Sequence, residues 1–130
     1  MKLKVVTLEM AKALRKKGYR ELCLAFYGFS GELCNAEGTD PILKDYNAPK
    51  QTRGRGPRCY SAPTLSSVQD WLRYKHYEVL VCKDTFFESK PTYFCRITRM
   101  KDGLSRDTKP FRSYDQALLD AIKHAITLLR

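Results

Sequence analysis

The sequence predicts an α+β fold in which helices pack on one face of an antiparallel sheet. Residues 64–129 carry the pattern in the order α-β-β(-β)-α, where the bracketed element is a short edge strand. Two amphipathic helical stretches flank a hairpin whose residues alternate between apolar and polar. One face of such a hairpin must be covered, and the two helices supply the cover.

The helices of this unit are predicted from their caps and their apolar stripes. The first begins after Thr64 or Ser66, because Ser66 and Gln69 have the spacing of a capping box, and it ends near His76. Its apolar side consists of Leu65, Val68, Leu72 and the expected core anchor Trp71. The last helix begins at the cap Ser113, and its stripe consists of Leu118, Ala121, Ile122, Ala125 and Leu129, widened by Ile126 and Leu128.

The strands are predicted at Tyr77–Lys83 and Thr92–Met100, which are rich in β-branched and aromatic residues. In the second strand a core face, Tyr93, Cys95 and Ile97, alternates with a solvent face, Phe94, Arg96 and Thr98. Residues 104–111 add an edge strand that Pro110 limits.

The first half is predicted to begin with a short helix between the N-cap Thr7 and Gly18 at the C′ position. Its outer positions carry Lys12, Arg15, Lys16 and Lys17, which suit either a solvated helix end or a nucleic-acid face. Residues 21–35 indicate two short strands joined by a tight turn, and residues 36–60 a long basic loop. Residues 1–130 are expected to form a single domain.

Composition favours a cytoplasmic protein with an anionic partner. Twenty-four Lys and Arg against fourteen Asp and Glu give a net charge of +10, which favours nucleic acid. No apolar run is long enough to span a bilayer, and the first twenty residues lack the apolar centre of a signal peptide. The five cysteines include no C-x-x-C pair; four are expected to be packing thiols, and Cys59, in a polar loop, is the possible exception.

The candidate nucleic-acid site is the basic segment, residues 50–58, which contains Lys50, Arg53, Arg55 and Arg58 and no acidic residue. Arginines spaced by glycine can follow a phosphate backbone, and the nearby Tyr60 can stack on a base. Arg96 and Arg99 are expected to extend the site from the exposed strand face. The alternative is that the segment is a solvated loop.

A second candidate surface is the pair Phe86 and Phe87 in the loop between the two strands. Two adjacent phenylalanines are costly to leave in water, so they either fold back onto the core or anchor a protein partner. The alternative function is therefore a protein-interaction module that docks on a host or phage protein.

Catalytic motifs are absent from the sequence. His76 and His124 are the only histidines, and neither a nucleophile elbow nor a G-x-G-x-x-G or G-x-x-x-x-G-K loop occurs. We therefore expect a binding protein without a cofactor, and an enzyme of unrecognised type is the third alternative.

Two resemblances accompany these patterns. Ser113, Ala117 and Ala121 fall where the S-K-K-x-A-K-x-x-A pattern of double-stranded-RNA-binding domains has serine and alanines, and the order of elements is similar. The lysines of that pattern are replaced here by Tyr114, Asp115 and Leu118, so the resemblance implies similar packing without the duplex-RNA chemistry.

Three stretches, residues 7–19, 61–76 and 114–129, resemble small uncharacterised proteins of Bacteroidales phages and prophages. The A-P-T and W-L-R sequences at residues 62–64 and 71–73 are the most specific part. This resemblance implies a phage or mobile-element origin and carries no activity.

Overall fold

The computed structural model describes residues 4–28, 30–34, 43–48, 59–84 and 91–129. Contacts divide the chain into two compact units, residues 1–64 and 65–130. This division is based on contacts and does not test whether the two units unfold together. The single domain therefore stays a prediction. None of the helices in the described ranges has the length and apolar character that a membrane span requires.

Unit 1, residues 1–64, combines one helix with a small antiparallel sheet. Helix α1 spans Leu8–Lys16, and the strands are β1 (Phe26–Tyr27), β2 (Leu33–Cys34) and β3 (Tyr60–Ser61) in the order β2-β1-β3. The predicted caps of α1 are confirmed: the Thr7 hydroxyl accepts a hydrogen bond from the Met10 amide, and Gly18 has a φ of +87°. The two short strands expected within residues 21–35 are also present.

The described part of the predicted long loop is packed against the rest of unit 1. Lys44 forms a β-bridge with Cys23, and Asn47 and Ala48 are buried. Strand β3 follows at Tyr60, where the sequence indicated only loop. A two-residue strand lacks the periodicity that reveals a longer one, and its pairing with β1 depends on residues far away in the chain.

Unit 2, residues 65–130, confirms the predicted α+β unit and its order α-β-β-β-α. Its elements are α2 (Leu65–Tyr74), β4 (Tyr77–Asp84), β5 (Thr92–Arg99), β6 (Leu104–Asp107) and α3 (Tyr114–Leu128). The strands are antiparallel in the order β4-β5-β6.

The core of unit 2 lies between the sheet and both helices. Val79, Cys95 and Ile97 are buried on one face of the sheet, where Val79 pairs directly with Ile97. Helices α2 and α3 contact the sheet and each other, with Trp71 and Ile122 among their buried residues. Burying side chains of this size stabilises the fold by about 1.5–3 kcal/mol each. The apolar stripes of the two helices therefore favour the observed arrangement, in which both helices cover the same face of the sheet.

The expected end of the first helix of unit 2 near His76 agrees with the structure, whereas the capping box and the width of the α3 stripe differ from the prediction. Ser66 lies inside α2, and the Gln69 side chain donates to the Val79 carbonyl at 2.5 Å, so these residues form no capping box. Helix α2 ends at Tyr74, and His76 takes the left-handed conformation, with a φ of +71°, that follows many helix ends. Leu128 is 41% exposed and does not widen the buried stripe of α3.

Candidate nucleic-acid interface

The structure describes only part of the predicted site. Lys50, Arg53, Arg55 and Arg58 lie outside the described residues, as do Phe86 and Phe87. Ala48 and Cys59, the described residues nearest to each end of residues 49–58, are both buried. We call Ala48 and Cys59 the two anchors of residues 49–58. An interface that includes the basic segment would also include the surface around these anchors.

Arg96 and Arg99, expected on one exposed strand face, lie on opposite faces of the sheet. Side chains alternate along a strand, so two residues three positions apart point in opposite directions. The register agrees, because Arg96 pairs with Leu80 and Arg99 pairs with Tyr77. The expectation of a shared face is therefore wrong, although both side chains are exposed.

Each of these arginines also has an acidic neighbour. The Arg96 Nε atom lies 2.9 Å from Asp107 Oδ1, and the Arg99 Nε atom lies 3.0 Å from Asp102 Oδ1. The pairing lowers the pKa of both carboxyl groups and raises the pKa of both guanidinium groups, chiefly through the hydrogen bonds. Much of the charge that a phosphate would need is already compensated.

A different set of cations gathers around Tyr60 of β3. The Lys12 ammonium and the Arg15 guanidinium each lie 6.0 Å from the centroid of the Tyr60 ring. Residues three apart on a helix lie on the same side, so α1 presents both cations to the same ring. This distance is at the outer limit of cation–π attraction, so the ring attracts both cations only weakly and their positive charge remains available.

A third cation and a second ring lie near Ala48, the other anchor. The Lys44 ammonium lies 5.8 Å from the Tyr46 ring centroid. The Tyr46 ring stacks on Phe26, with centroids 4.3 Å apart and the planes inclined by 23°. Burial raises the pKa of the Tyr46 hydroxyl, which therefore stays neutral.

Asn47 joins these two groups through buried hydrogen bonds. Its Nδ2 donates to the Tyr19 carbonyl at 2.9 Å, and its Oδ1 accepts from the Ser61 amide at 3.0 Å. The same Oδ1 accepts from Arg15 Nη1 at 3.4 Å, and the Ser61 hydroxyl accepts from the Tyr46 amide at 3.1 Å. Asn47 is 4% exposed and Ser61 0%, so the network is buried and connects the segments that carry both rings.

Cys59 shows that the two groups are continuous. Burial raises the pKa of its thiol, and the charges of Arg15 and Lys44 oppose this shift. Cys59 also directly precedes Tyr60 in the chain. The thiol donates to the Tyr46 carbonyl at 3.4 Å and is buried. Cys59 is thus a protonated packing thiol. We call the set Lys12, Arg15, Lys44, Tyr46 and Tyr60 the basic–aromatic strip.

The strip retains its positive charge. Within the described ranges, none of its three cations has a carboxylate within ion-pair distance, whereas the neighbouring Arg20 binds Asp45 at 2.6 Å. Lys12 is exposed and Arg15 is partly exposed. The strip can therefore accept an anion at Lys12 and Arg15 beside an aromatic surface.

The sequence indicates Lys12, Arg15 and Tyr60 separately but not their connection, and it gives no signal for Lys44 or Tyr46. The cations of α1 were recognised as a possible nucleic-acid face, and Tyr60 as a possible stacking partner. Tyr60 is 45 residues from Arg15 in the chain. Only the packing of α1 against β3 brings them together, and no local pattern reports that packing.

The grouping in unit 2 that most resembles a catalytic site is Cys95, Asp120 and His124. His124 Nε2 lies 3.6 Å from Asp120 Oδ2. Burial, assisted by the Cys82 and Asp120 charges, raises the pKa of the Cys95 thiol to about 12, and its Sγ donates to the Ala117 carbonyl at 3.3 Å. A thiol that stays protonated is a poor nucleophile, so this grouping does not suggest catalysis.

The described ranges contain no group of three or more His, Cys, Asp or Glu side chains that could hold a metal ion. Comparisons with protein-family models, curated proteins and solved structures returned no match. The non-enzymatic character and both resemblances therefore stay predictions.

Proposed function

We propose that the protein binds nucleic acid through the basic–aromatic strip, together with the basic segment that is joined to it in the chain. The observation that carries this proposal is the position of Lys12 and Arg15, both 6.0 Å from the Tyr60 ring and without a carboxylate partner among the described residues. Cations held beside an aromatic ring match the two chemistries of a nucleotide, a phosphate and a flat base.

The distribution of charge supports the same surface. Residues 1–64 contain twelve Lys and Arg against six Asp and Glu, so the cations outnumber the acids two to one. Residues 65–130 contain twelve against eight, and Arg73, Arg96 and Arg99 of that unit bind acidic side chains. The positive field is therefore stronger in the part of the sequence that contains the strip.

Salt dependence tests the proposal. Fluorescence anisotropy with labelled DNA and RNA 15-mers should show an affinity that falls about tenfold or more between 50 and 200 mM salt, because phosphate binding releases counterions. No binding, or an affinity that salt leaves unchanged, would contradict the proposal.

Matched variants locate the interface. Lys12→Gln and Arg15→Gln should each reduce the slope of log affinity against log salt by roughly 0.7 to 0.9, the share of one phosphate contact. Lys16→Gln is the control, because Lys16 is an exposed cation of the same helix outside the strip. Equal effects at Lys12 and Lys16 would show that net charge, and not the strip, governs binding.

The wider role that we propose is an accessory protein of the cytoplasm, encoded by a phage or another mobile element and without catalytic activity. The likeness of residues 7–19, 61–76 and 114–129 to phage and prophage proteins supports the origin. We propose no membrane partner for it.

A protein-interaction module is the second candidate, and one observation favours it. One sheet face of unit 2 carries Arg96 and Leu80, and Leu80 is 48% exposed. Cys82 and Phe94 pair with each other across β4 and β5 on the same face and are only half-buried. An apolar cluster of this kind suits a protein partner with an apolar side chain at the centre of its own surface. The segment that contains Phe86 and Phe87 connects the two strands that carry the cluster.

A further inference from the structure

We infer that the basic–aromatic strip takes single-stranded nucleic acid, with one base stacked on Tyr60 and adjacent phosphates bound by Lys12 and Arg15. This inference rests on the proposed function and specifies its ligand. It applies to DNA and RNA strands alike, because both combine a phosphate and a base that can be exposed.

The aromatic ring is the feature that discriminates between ligands. In a duplex both faces of each base are covered by neighbouring bases, so a protein meets phosphates, sugars and groove edges. A tyrosine ring among the contacts then adds little. In a single strand the base faces can be reached, and stacking on an aromatic side chain contributes strongly and with little sequence preference.

The ring and the cations are held on regular structure. Tyr60 lies in β3 directly opposite Tyr27 of β1, and the Tyr27 hydroxyl donates to the Val6 carbonyl at 2.7 Å. Lys12 and Arg15 lie on α1, which the Thr7 cap fixes at its N-terminus. A nucleic-acid strand that binds there meets a ring and charges that regular structure already positions, so the protein loses less conformational entropy on binding.

Helix α1 is also poorly placed to read a duplex. A recognition helix enters the major groove with its exposed side chains directed at base edges. In α1 the Lys12 ammonium and the Arg15 guanidinium instead lie 6.0 Å from the centroid of a ring of the adjacent sheet, while Met10, Ala11 and Leu14 are buried. The cations and the ring therefore present positive charge next to an aromatic ring, which matches the phosphate and base of a nucleotide better than the base edges of a groove.

Four probes of equal length test the inference: the strands dT15 and U15, a mixed-sequence 15-base-pair duplex, and an abasic 15-mer that keeps the phosphates without bases. We expect dT15, U15 or both to bind about tenfold or more tightly than the duplex and the abasic strand. A preference between dT15 and U15 would identify the sugar that the strip favours, and either preference supports the inference.

Protein variants supply the second arm. Tyr60→Leu should weaken binding of the preferred strand about fivefold or more, whereas Tyr60→Phe should keep it within about twofold, because phenylalanine still stacks. Tyr74→Leu is the matched control, since Tyr74 is a 79% exposed tyrosine on α2 and should change nothing. If Tyr60→Leu fails to fold, the comparison of dT15 with the abasic strand decides alone.

The outcomes separate this inference from the function on which it rests. If all four probes bind equally and with steep salt dependence, the single-strand inference is overturned while nucleic-acid binding stands. If none binds, both fail. Loss of binding on removing the bases, together with loss in Tyr60→Leu but not in Tyr60→Phe, supports both.

Discussion

Asn47 offers the most direct test of how unit 1 is held together. Replacing it by alanine removes the donor to the Tyr19 carbonyl and the acceptor for the Ser61 amide. It also removes the weaker contact, at 3.4 Å, with Arg15 of the strip. The substitution therefore disconnects three segments that lie far apart in the chain.

The magnitude follows from what the substitution leaves behind. Tyr19 is 1% exposed and Ser61 is 0% exposed, so neither backbone group gains free access to water when its partner is removed. A buried group left without its hydrogen bond costs about 1–3 kcal/mol. Two such groups, with partial relief from water that enters the vacated space, destabilise the protein by about 2–4 kcal/mol. This is a large share of the roughly 5–15 kcal/mol typical of folded proteins.

Urea unfolding followed by circular dichroism measures this loss in the free energy of unfolding. Ser105→Ala is the matched control, because its hydroxyl also has a partner, Thr98 Oγ1 at 2.9 Å, but the pair is exposed. The control should change stability by less than about 0.5 kcal/mol. A loss below about 0.5 kcal/mol for Asn47→Ala would refute the view that this network supports the strip.

Three further predictions concern other residues. Stability should fall as the pH rises from 9 towards 12, because burial raises the pKa of the Cys95 thiol to about 12 whereas the unfolded thiol ionises at its ordinary pKa of 9.0. The share of Cys95 is at most about 1.4 kcal/mol per pH unit, and Cys95→Ala should remove this share in a pH series of urea unfolding. A smaller fall should remain in that variant, because burial also raises the pKa of the Cys23 thiol, to about 11. Replacing Phe86 and Phe87 by serine should leave the melting temperature unchanged if they anchor a partner. A decrease of more than about 2 kcal/mol in the free energy of unfolding would assign them to the core. Arg96→Gln and Arg99→Gln should each weaken oligonucleotide binding less than loss of a strip cation, and a larger effect in anisotropy titrations would return these ion-paired side chains to the interface.

Residues 64–129 could be predicted in order and type because their signals are local. Ser113 accepts from the Gln116 amide at 3.4 Å as a capping residue should, and the alternation in β5 buries Cys95 and Ile97 while it exposes Arg96. Each of these features depends on residues within one or two turns or within one strand.

The candidate site could be predicted only in fragments, for two different reasons. Lys12, Arg15 and Tyr60 meet through tertiary packing, which short-range patterns do not encode. The grouping of Arg96 with Arg99 is a different case, because the alternation of side chains along a strand already places residues three apart on opposite faces. That expectation therefore contradicted the strand that was predicted to carry both arginines.

The two buried anchors of residues 49–58 have a consequence for how this protein can change. Cys59 is held through the Tyr46 carbonyl, and the Ala48 amide donates to the Asp45 carbonyl, so both ends are secured by parts of unit 1 outside the insert. The ten residues between them therefore begin and end at points whose described hydrogen bonds are made within unit 1. An exchange of residues 49–58 leaves these two bonds in place, so both ends of a new segment start from the same positions.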